Sequence, residues 1–329
     1  MRRRVWRRGT VSAVGFGAMS FGGFYGPTNE VESMRTLARA LELGVDFWDT
    51  ANVYGDGLCE QVIGKFLAED KSRRARVTLA TKFAIRRRDD GSRFFDNSAA
   101  HIRDALDGSR KRLGVDHIDL YYVHRVDKST PIEDTVGELA RLVKAGAIGA
   151  IGLSEVAPDT LRRAHDVHPI AAVQSEYSLW TRNPELGLIQ ACADLGAILV
   201  AFSPLARGYL SGLMQDVESF GEKDFRHANP RFQGLNWRRN RDRLKAFVTL
   251  AQSWGLKPAT LAIAWTLAKA EHVVPIPGTR AAAHLEECAA ADKLDLTDAQ
   301  LAEIERALPL GYAAGERYSE SQWVGIQKY

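Results

Sequence analysis

Short apolar runs rich in β-branched residues recur along this chain, and each is followed by a longer stretch with helical spacing. The runs are Val45–Asp49, Val77–Thr81, Ile118–Val123, Ile148–Leu153, Ala172–Ser175, Ile198–Phe202 and Val273–Ile276, with a weaker eighth at Ala290–Lys293. Each is too short for a helix, and continuous apolarity suits strands covered on both faces. Strands alternating with helices imply parallel pairing through right-handed crossovers. A count of eight favours closure over an open sheet, so the expected fold class is α/β, a (β/α)8 TIM barrel. No Gly-x-Gly-x-x-Gly turn follows the first strand, which argues against a doubly wound dinucleotide fold. Val14–Met19 precedes that strand and reads as a hairpin or loop.

The intervening segments carry helix signals. Thr130-Pro131-Ile132-Glu133 reads as a capping box with proline at the first helical position. Behind it Ile132, Val136, Leu139, Ala140 and Val143 share a face, and Gly146 stands where a C-cap belongs. Ile102, Ala105, Leu106 and Leu113 form a second stripe; Val31, Met34, Ala38 and Leu41 form a third, ending at Gly44. Thr297 and Gln300 open a last helix with Leu301 and Ile304. The stretch Arg207–Asn240, rich in Gly, Arg, Asn and aromatics, reads as a long βα loop over the barrel mouth. No linker-like tract divides the 329 residues, so 1–329 is read as one barrel domain.

Charge narrows the partners. A net charge of +3 is too balanced for a nucleic-acid binder. No run approaches the ~20 apolar residues of a membrane span. The basic start, Met1 to Arg8, reads as a solvated arm. Cys59, Cys192 and Cys288 are odd in number, far apart and without zinc spacing, which points to a reducing, cytoplasmic compartment.

The active face of such a barrel is built at the strand C-terminal ends. Asp49 ends the first apolar run, and Tyr54 follows five residues on. Lys82 ends the second, in Leu79-Ala80-Thr81-Lys82, and His124 ends the third. A carboxylate, a phenol, an amine and an imidazole are thereby expected on one rim. A lysine cation beside the phenol is expected to lower its pKa, and a carboxylate to keep the lysine charged. The imidazole can hold a substrate oxygen by a hydrogen bond. Together these groups suit protonation of a developing alkoxide.

At these residues the chain resembles the aldo-keto reductase superfamily. Phe47-Trp48-Asp49-Thr50-Ala51-Asn52-Val53-Tyr54-Gly55 looks like its first signature. The likeness extends through Gly15–Met19, Ala80–Lys82, Ile151–Ser154, Gln174–Tyr177, Ser203–Gly208 and Ile276–Arg280. Gln174–Trp180 and Ala313–Tyr318 look closest to the branch with pyridoxal-reductase-like and perakine-reductase-like enzymes. The resemblance implies an NADPH-dependent reductase giving an alcohol from an aldehyde or ketone. Tyr54 would be the acid, Lys82 and Asp49 its tuning pair, and His124 the carbonyl-orienting group. Gly17 and Met19 fall in the matching first loop. Ser154 and Gln174 would bond the nicotinamide carboxamide, and Phe202 would stack on its ring. Ser203, Leu205, Arg207 and Gly208 would follow the pyrophosphate. Gly278, Thr279 and Arg280 would take the 2′-phosphate, and Glu287 the adenine.

Three positions depart from the family pattern. Glu155 stands where many relatives carry Asn, His284 where some place an Arg, and Cys288 where many place Asn. Tyr25, Phe83, Tyr177 and Trp180 are the expected aromatic lining for a small-molecule carbonyl substrate, with Trp237 as a lid. The Arg86-Arg87-Arg88 run reads as a solvated loop or as a steering charge for anions. A regulatory cofactor-binding protein is the alternative, because potassium-channel β-subunits share this fold and these four residues. A metal-dependent hydrolase fails for lack of His-x-His or paired carboxylates at a strand end, so no metal ligand is expected. Monomer and homo-oligomer both remain open.

Overall fold

The computed structural model describes residues 1–213, 216–222 and 224–329. An antiparallel hairpin of β1 (Arg3–Trp6) and β2 (Gly9–Ser12) opens the chain. The barrel strands follow as β3 (Phe16–Gly17), β4 (Phe47–Asp49) and β5 (Thr78–Phe83). A second hairpin, β6 (Ile85–Arg87) with β7 (Arg93–Phe95), is inserted after β5. The barrel resumes with β8 (Leu120–Val123), β9 (Ile151–Ser154), β10 (Ile170–Glu176), β11 (Ile198–Phe202) and β12 (Val273–Ile276). Each of these neighbours pairs in parallel.

Seven of the expected strands form, but the eighth does not. Ala290–Lys293 is a 3₁₀ turn, and the missing strand is Phe16–Gly17, at the other end of the chain. The Gly15 and Gly17 amides donate to Pro275 and Pro277 carbonyls at 2.9 and 3.1 Å, closing the barrel. Pro275 and Pro277 have no N–H to return, and the seam continues through a parallel bridge between Gly17 and Gly278. Glycine is required there: a Cβ on Gly15 would lie 2.9 Å from Phe47 O.

The N-terminus is not a free arm. Trp6 and Val11 are buried with Phe47, Leu120 and Ile198 at the floor of the barrel lumen. Arg2 pairs with Asp292 at 3.0 Å and Arg3 with Asp46 at 2.5 Å, so the basic residues staple the hairpin down.

Outside the strands lie α1 (Glu30–Glu42), α2 (Leu58–Ala68), α3 (Ala99–Leu113), α4 (Ile132–Lys144), α5 (Pro158–Val167) and α6 (Leu188–Asp194). They continue as α7 (Gly234–Ser253), α8 (Pro258–Leu267), α9 (Ala282–Ala289) and α10 (Asp298–Ala307). The Thr297–Gln300 capping box forms. The one at Thr130 does not: α4 begins after Pro131, and Thr130 Oγ1 donates to Asp127 instead. The buried face of α1 is Ser33, Thr36, Leu37, Ala40 and Leu41, while Val31 is exposed. The small hydroxyls fit inside because Ser33 and Thr36 bond the backbone carbonyls of Asn29 and Glu32. The expected 207–240 loop contains short 3₁₀ turns, and its last residues already belong to α7. Positions 214, 215 and 223 within it lie outside the described residues. No helix among the described residues is long and apolar enough to cross a membrane.

Candidate active site

Strand alternation decides which side chains meet. Successive residues point to opposite faces of a sheet. The lumen cluster holds Phe47, Ala80, Leu120, Tyr122, Ala172, Val200 and Val274. Counting by twos from these positions puts Asp49, Lys82, His124, Gln174, Glu176, Phe202 and Gly278 on the same inward face, at the C-terminal rim. The intervening residues Trp48, Leu79, Phe83, Tyr121, Val173 and Tyr177 belong to the outer core beneath the helices.

The four expected catalytic residues come together. The Lys82 ammonium donates to Asp49 Oδ1, to Thr50 O at 2.8 Å and to Tyr54 Oη at 3.4 Å. An ammonium has three donors, and each finds an acceptor here. The phenol oxygen accepts from Lys82, which leaves its own O–H free to face a substrate. Asp49 takes a further bond from the Gln174 amide at 2.7 Å. The Tyr54 ring stands edge-on to His124, with centroids 5.8 Å apart, and to Phe24 at 6.0 Å. Behind Lys82, the buried Glu60 of α2 accepts from the neighbouring Thr81 hydroxyl and from Arg112, each at 2.6 Å.

A turn in the left-handed region carries Tyr54 into place. Gly55, Asp56 and Gly57 have φ of 58°, 52° and 93°. The backbones of Gly22 and Gly55 touch, since a Cβ on Gly22 would lie 2.8 Å from Gly55 N. This contact brings the loop bearing Phe24 and Tyr25 over the phenol.

Electrostatics corrects one expectation. Burial, reinforced by the Asp49 charge, holds the Tyr54 phenol well above its ordinary pKa, although Lys82 is its neighbour. Lys82 answers to burial first, which lowers its pKa, with Asp49 opposing; burial raises Asp49, with Lys82 opposing. His124 lies well below its ordinary value, through burial and the charges of Arg125, Lys82 and Arg93. The resting site therefore presents a protonated phenol beside a neutral imidazole. His124 Nδ1, Thr50 Oγ1, Asn52 Oδ1 and Tyr122 Oη are buried there without a partner among the described residues.

The expected dinucleotide residues occupy the opposite arc of the rim. Gly17 and Gly278 form a backbone bridge, and a Cβ on Gly278 would lie 3.2 Å from Gly17 O. Met19 lies in the following 3₁₀ turn. Ser203, Ala206, Arg207 and Gly208 all have positive φ, which folds Ser203–Gly208 with Leu205 into a tight cradle. Thr279 Oγ1 accepts from Ala281 N, and α9 starts without a side-chain cap beside Arg280, so its first N–H groups are available to an anion. Glu287 lies on α9, and Phe202 packs on the lumen cluster. Ser154 Oγ accepts from Arg125 at 3.2 Å. The glycine bridge and the uncapped helix fit an elongated phosphate-bearing cofactor.

Arg207 departs from its expected place along a pyrophosphate. Its guanidinium is buried, bonds Arg317 O at 2.9 Å and pairs with Glu176 at 3.2 Å. Arg280 donates to Pro27 O at 2.5 Å, tying the Phe24–Tyr25 loop to the end of β12.

Glu155, one of the three departures, is structural. It pairs with Arg317 and accepts from Glu176 N at 2.8 Å and Ser175 Oγ at 3.1 Å. Burial would raise its pKa, but Arg317 and Arg125 hold it below the ordinary value. His284 is exposed on α9. Cys288, like Cys59 and Cys192, is a buried free thiol, pushed up to about 12 by burial. A cavity of about 240 Å³ beside Glu155, Arg317 and Tyr329 includes none of the four catalytic candidates.

Of the expected substrate lining, Tyr25 alone faces this side, near Arg226 and Arg207, with its hydroxyl pushed up to about 12 by burial. Phe83 packs outward on Tyr121 and His101. Tyr177 packs on Trp265 and donates to Glu185 at 2.8 Å. Trp180 stacks on Tyr209 at 4.0 Å, in a buried cluster with Phe232 and Trp237, so Trp237 is no lid. Phe24, which stands against Tyr54, and Phe225, which packs on Phe24, are the aromatics that sequence reasoning missed. Arg125 was missed too, although it directly follows His124.

Residues 13–309 match the profile of the aldo/keto reductase family. An NADP(+) aldo-keto reductase of Schizosaccharomyces pombe is 41% identical over 313 residues, covering 94% of this chain and 92% of the relative. A probable aldo-keto reductase of Glycine max is 42% identical, covering 94% of this chain and 88% of its own. Among solved structures, the glycerol dehydrogenase of Gluconobacter oxydans superposes with a TM-score of 0.84 at 28% identity, covering 93% of this chain and 94% of that one. An aldo-keto reductase of Bacillus halodurans in its holo form gives 0.75 at 27%, covering 98% and 99%.

Proposed function

This chain belongs to the aldo/keto reductase family and is an oxidoreductase of carbonyl and alcohol groups; from that premise we propose that it reduces aldehydes or ketones with NADPH, using Tyr54 as the proton donor. The observation that carries the reading is the closed set of contacts around Lys82, which leaves the phenol proton as the free donor at the rim.

The cofactor, when bound, supplies hydride to the carbonyl carbon. Its binding is assigned to Gly17, Met19, Ser154, Gln174, Phe202, the Ser203–Gly208 cradle, Gly278, Thr279, Arg280 and Glu287, with Arg207 acting through the cradle's shape rather than as a free phosphate ligand. The preference for a 2′-phosphate rests on Arg280 and the uncapped start of α9.

Each catalytic role follows from the local chemistry. A neutral His124 carries one N–H, which donates to the carbonyl oxygen and polarises it. The Tyr54 hydroxyl gives its proton to that oxygen as negative charge develops. Lys82, 3.4 Å away, then stabilises the phenolate, and Asp49 keeps the amine charged. Phe24, edge-on to the Tyr54 ring and to Phe225, gives the phenol an apolar neighbour.

A panel of aldehydes, ketones and pyridoxal, followed by loss of reduced-nicotinamide absorbance, tests the reading. Turnover of a carbonyl with NADPH supports it. Tight NADPH binding with negligible turnover on every carbonyl would overturn it in favour of a regulatory cofactor-binding role.

A further inference from the structure

Eighteen of the 32 arginines pair with a carboxylate among the described residues. Arg87, Arg93 and Arg125 make no ion pair among the described residues, and they lie together at one side of the mouth. In the β6–β7 hairpin, Arg87 stands directly opposite Arg93, and Ile85 opposite Phe95. Like charges in register destabilise a strand pair, so this placement is uncompensated within the protein. The other face of the hairpin is settled: Arg86 pairs with Asp96 at 2.8 Å, and both Arg86 and Arg88 lie over the Phe94 ring.

The unsettled face points at the site. A Cβ added to Gly325 would lie 2.5 Å from Phe95 and 3.0 Å from Arg125 Cβ, so the face bearing Phe95, Arg87 and Arg93 meets Arg125 across this glycine. Arg125 directly follows His124, bonds the His124 carbonyl at 2.6 Å and reaches Ser154 Oγ at 3.2 Å. The field of Arg93 and Arg125 is felt at the His124 ring, where both disfavour a further positive charge. The cofactor's phosphates do not account for these cations. Their proposed cradle lies on β11, β12 and α9, across the barrel from β5 and β8.

Resting on the carbonyl-reducing role above, we propose that Arg93 and Arg125, backed by Arg87, form an anion-recognition subsite, and that the preferred substrates are carbonyl compounds bearing a carboxylate or phosphate. The subsite selects the substrate through binding; the proton and hydride steps stay at Tyr54 and the cofactor. Arg93 and Arg125 are thus specificity-determining residues. A guanidinium suits both oxyanions because its planar fork matches them bidentately.

The test uses the full chain with NADPH and three aldehydes of similar shape: benzaldehyde, 4-carboxybenzaldehyde and 4-formylphenyl phosphate. The expected kcat/KM for at least one anion exceeds that of benzaldehyde by about tenfold or more, through KM, in line with a charge-assisted hydrogen bond. The anion with the larger gain identifies the group recognised. Arg93→Gln and Arg125→Gln should each lower the anion-to-neutral ratio, and Arg125→Lys should restore part of it. Arg86→Gln removes the same charge from the settled face and should leave the ratio intact. A ratio near one in the unaltered protein overturns the subsite. So does a ratio that survives both glutamine variants, or that falls equally in Arg86→Gln. If no aldehyde is turned over, the reductase role fails separately, and calorimetry with terephthalate still decides the subsite. Weaker binding in the Arg93 and Arg125 variants supports it, and equal binding overturns it.

Discussion

Arg317, near the C-terminus, is buried against Glu155, which directly follows β9, and its Nη1 also lies 3.4 Å from Glu176 at the end of β10. The pair anchors the last residues of the chain beside the mouth, where Gln327 N donates to Glu155 O at 3.0 Å. Removing one partner of a buried pair leaves an uncompensated charge. Arg317→Ala should therefore cost about 3–5 kcal/mol, read from urea unfolding. The double change Glu155→Gln with Arg317→Met should cost less than Arg317→Ala alone. A larger loss in the double variant would refute this account.

The same carboxylate makes the fold sensitive to acid. Glu155 has a folded pKa below its ordinary value, so its stabilisation is present above that value and lost as pH falls through the folded one. His124 adds to this with the same sign. Its folded pKa is depressed, so below about 6.5 the unfolded chain takes up a proton that the folded chain refuses. Stability measured by denaturant titration should fall steadily from neutral pH into the acid range, and Glu155→Gln should flatten the lower part of that curve.

Tyr54→Phe removes the acid but not the ring. It should lower kcat for carbonyl reduction by about 10²–10⁴-fold and leave the Kd for NADPH, measured by fluorescence, nearly unchanged. Because the phenol is held well above 10 and His124 well below 6.5, kcat should be flat between about pH 7 and 9. A titration within that window would show that neither group controls the rate as assigned.

Arg280→Ala should raise KM for NADPH by about tenfold or more while changing KM for NADH much less, as expected for the loss of a charge-assisted bond. Arg280 also holds Pro27 O. Equal effects on both cofactors would mean that it acts only through that loop.

Gly64 marks a backbone contact between α2 and α3, where a Cβ would lie 2.4 Å from Arg112 O. Alanine would add about 1 kcal/mol of helix propensity, but the clash is with backbone, and overpacking costs about 1–3 kcal/mol. Gly64→Ala should lower the thermal midpoint. Arg112 also bonds Glu60 behind Lys82, so activity should fall with it.

Much of this protein is determined by local pattern. An apolar run of strand length, ended by a polar residue on the inward register, is visible in any sequence. Asp49, Lys82 and His124 were legible for that reason, as were seven strands and the Thr297 cap. Strand parity alone would have turned Phe83 and Tyr177 away from the lumen, because both lie an odd number of residues from an inward neighbour.

Tertiary structure decided what depends on partners distant in sequence. Phe16–Gly17 is too short to signal a strand and becomes one only against β4 and the Pro275–Pro277 carbonyls. The basic N-terminus is ordered because Asp46 and Asp292 meet it across the barrel floor. Whether Arg207 is free for phosphate or committed to Glu176, and whether Lys82 or burial governs the Tyr54 phenol, turns on distances that a one-dimensional pattern does not contain. Hydrophobic periodicity is a property of each segment by itself, whereas charge pairing and desolvation exist only once the segments have packed.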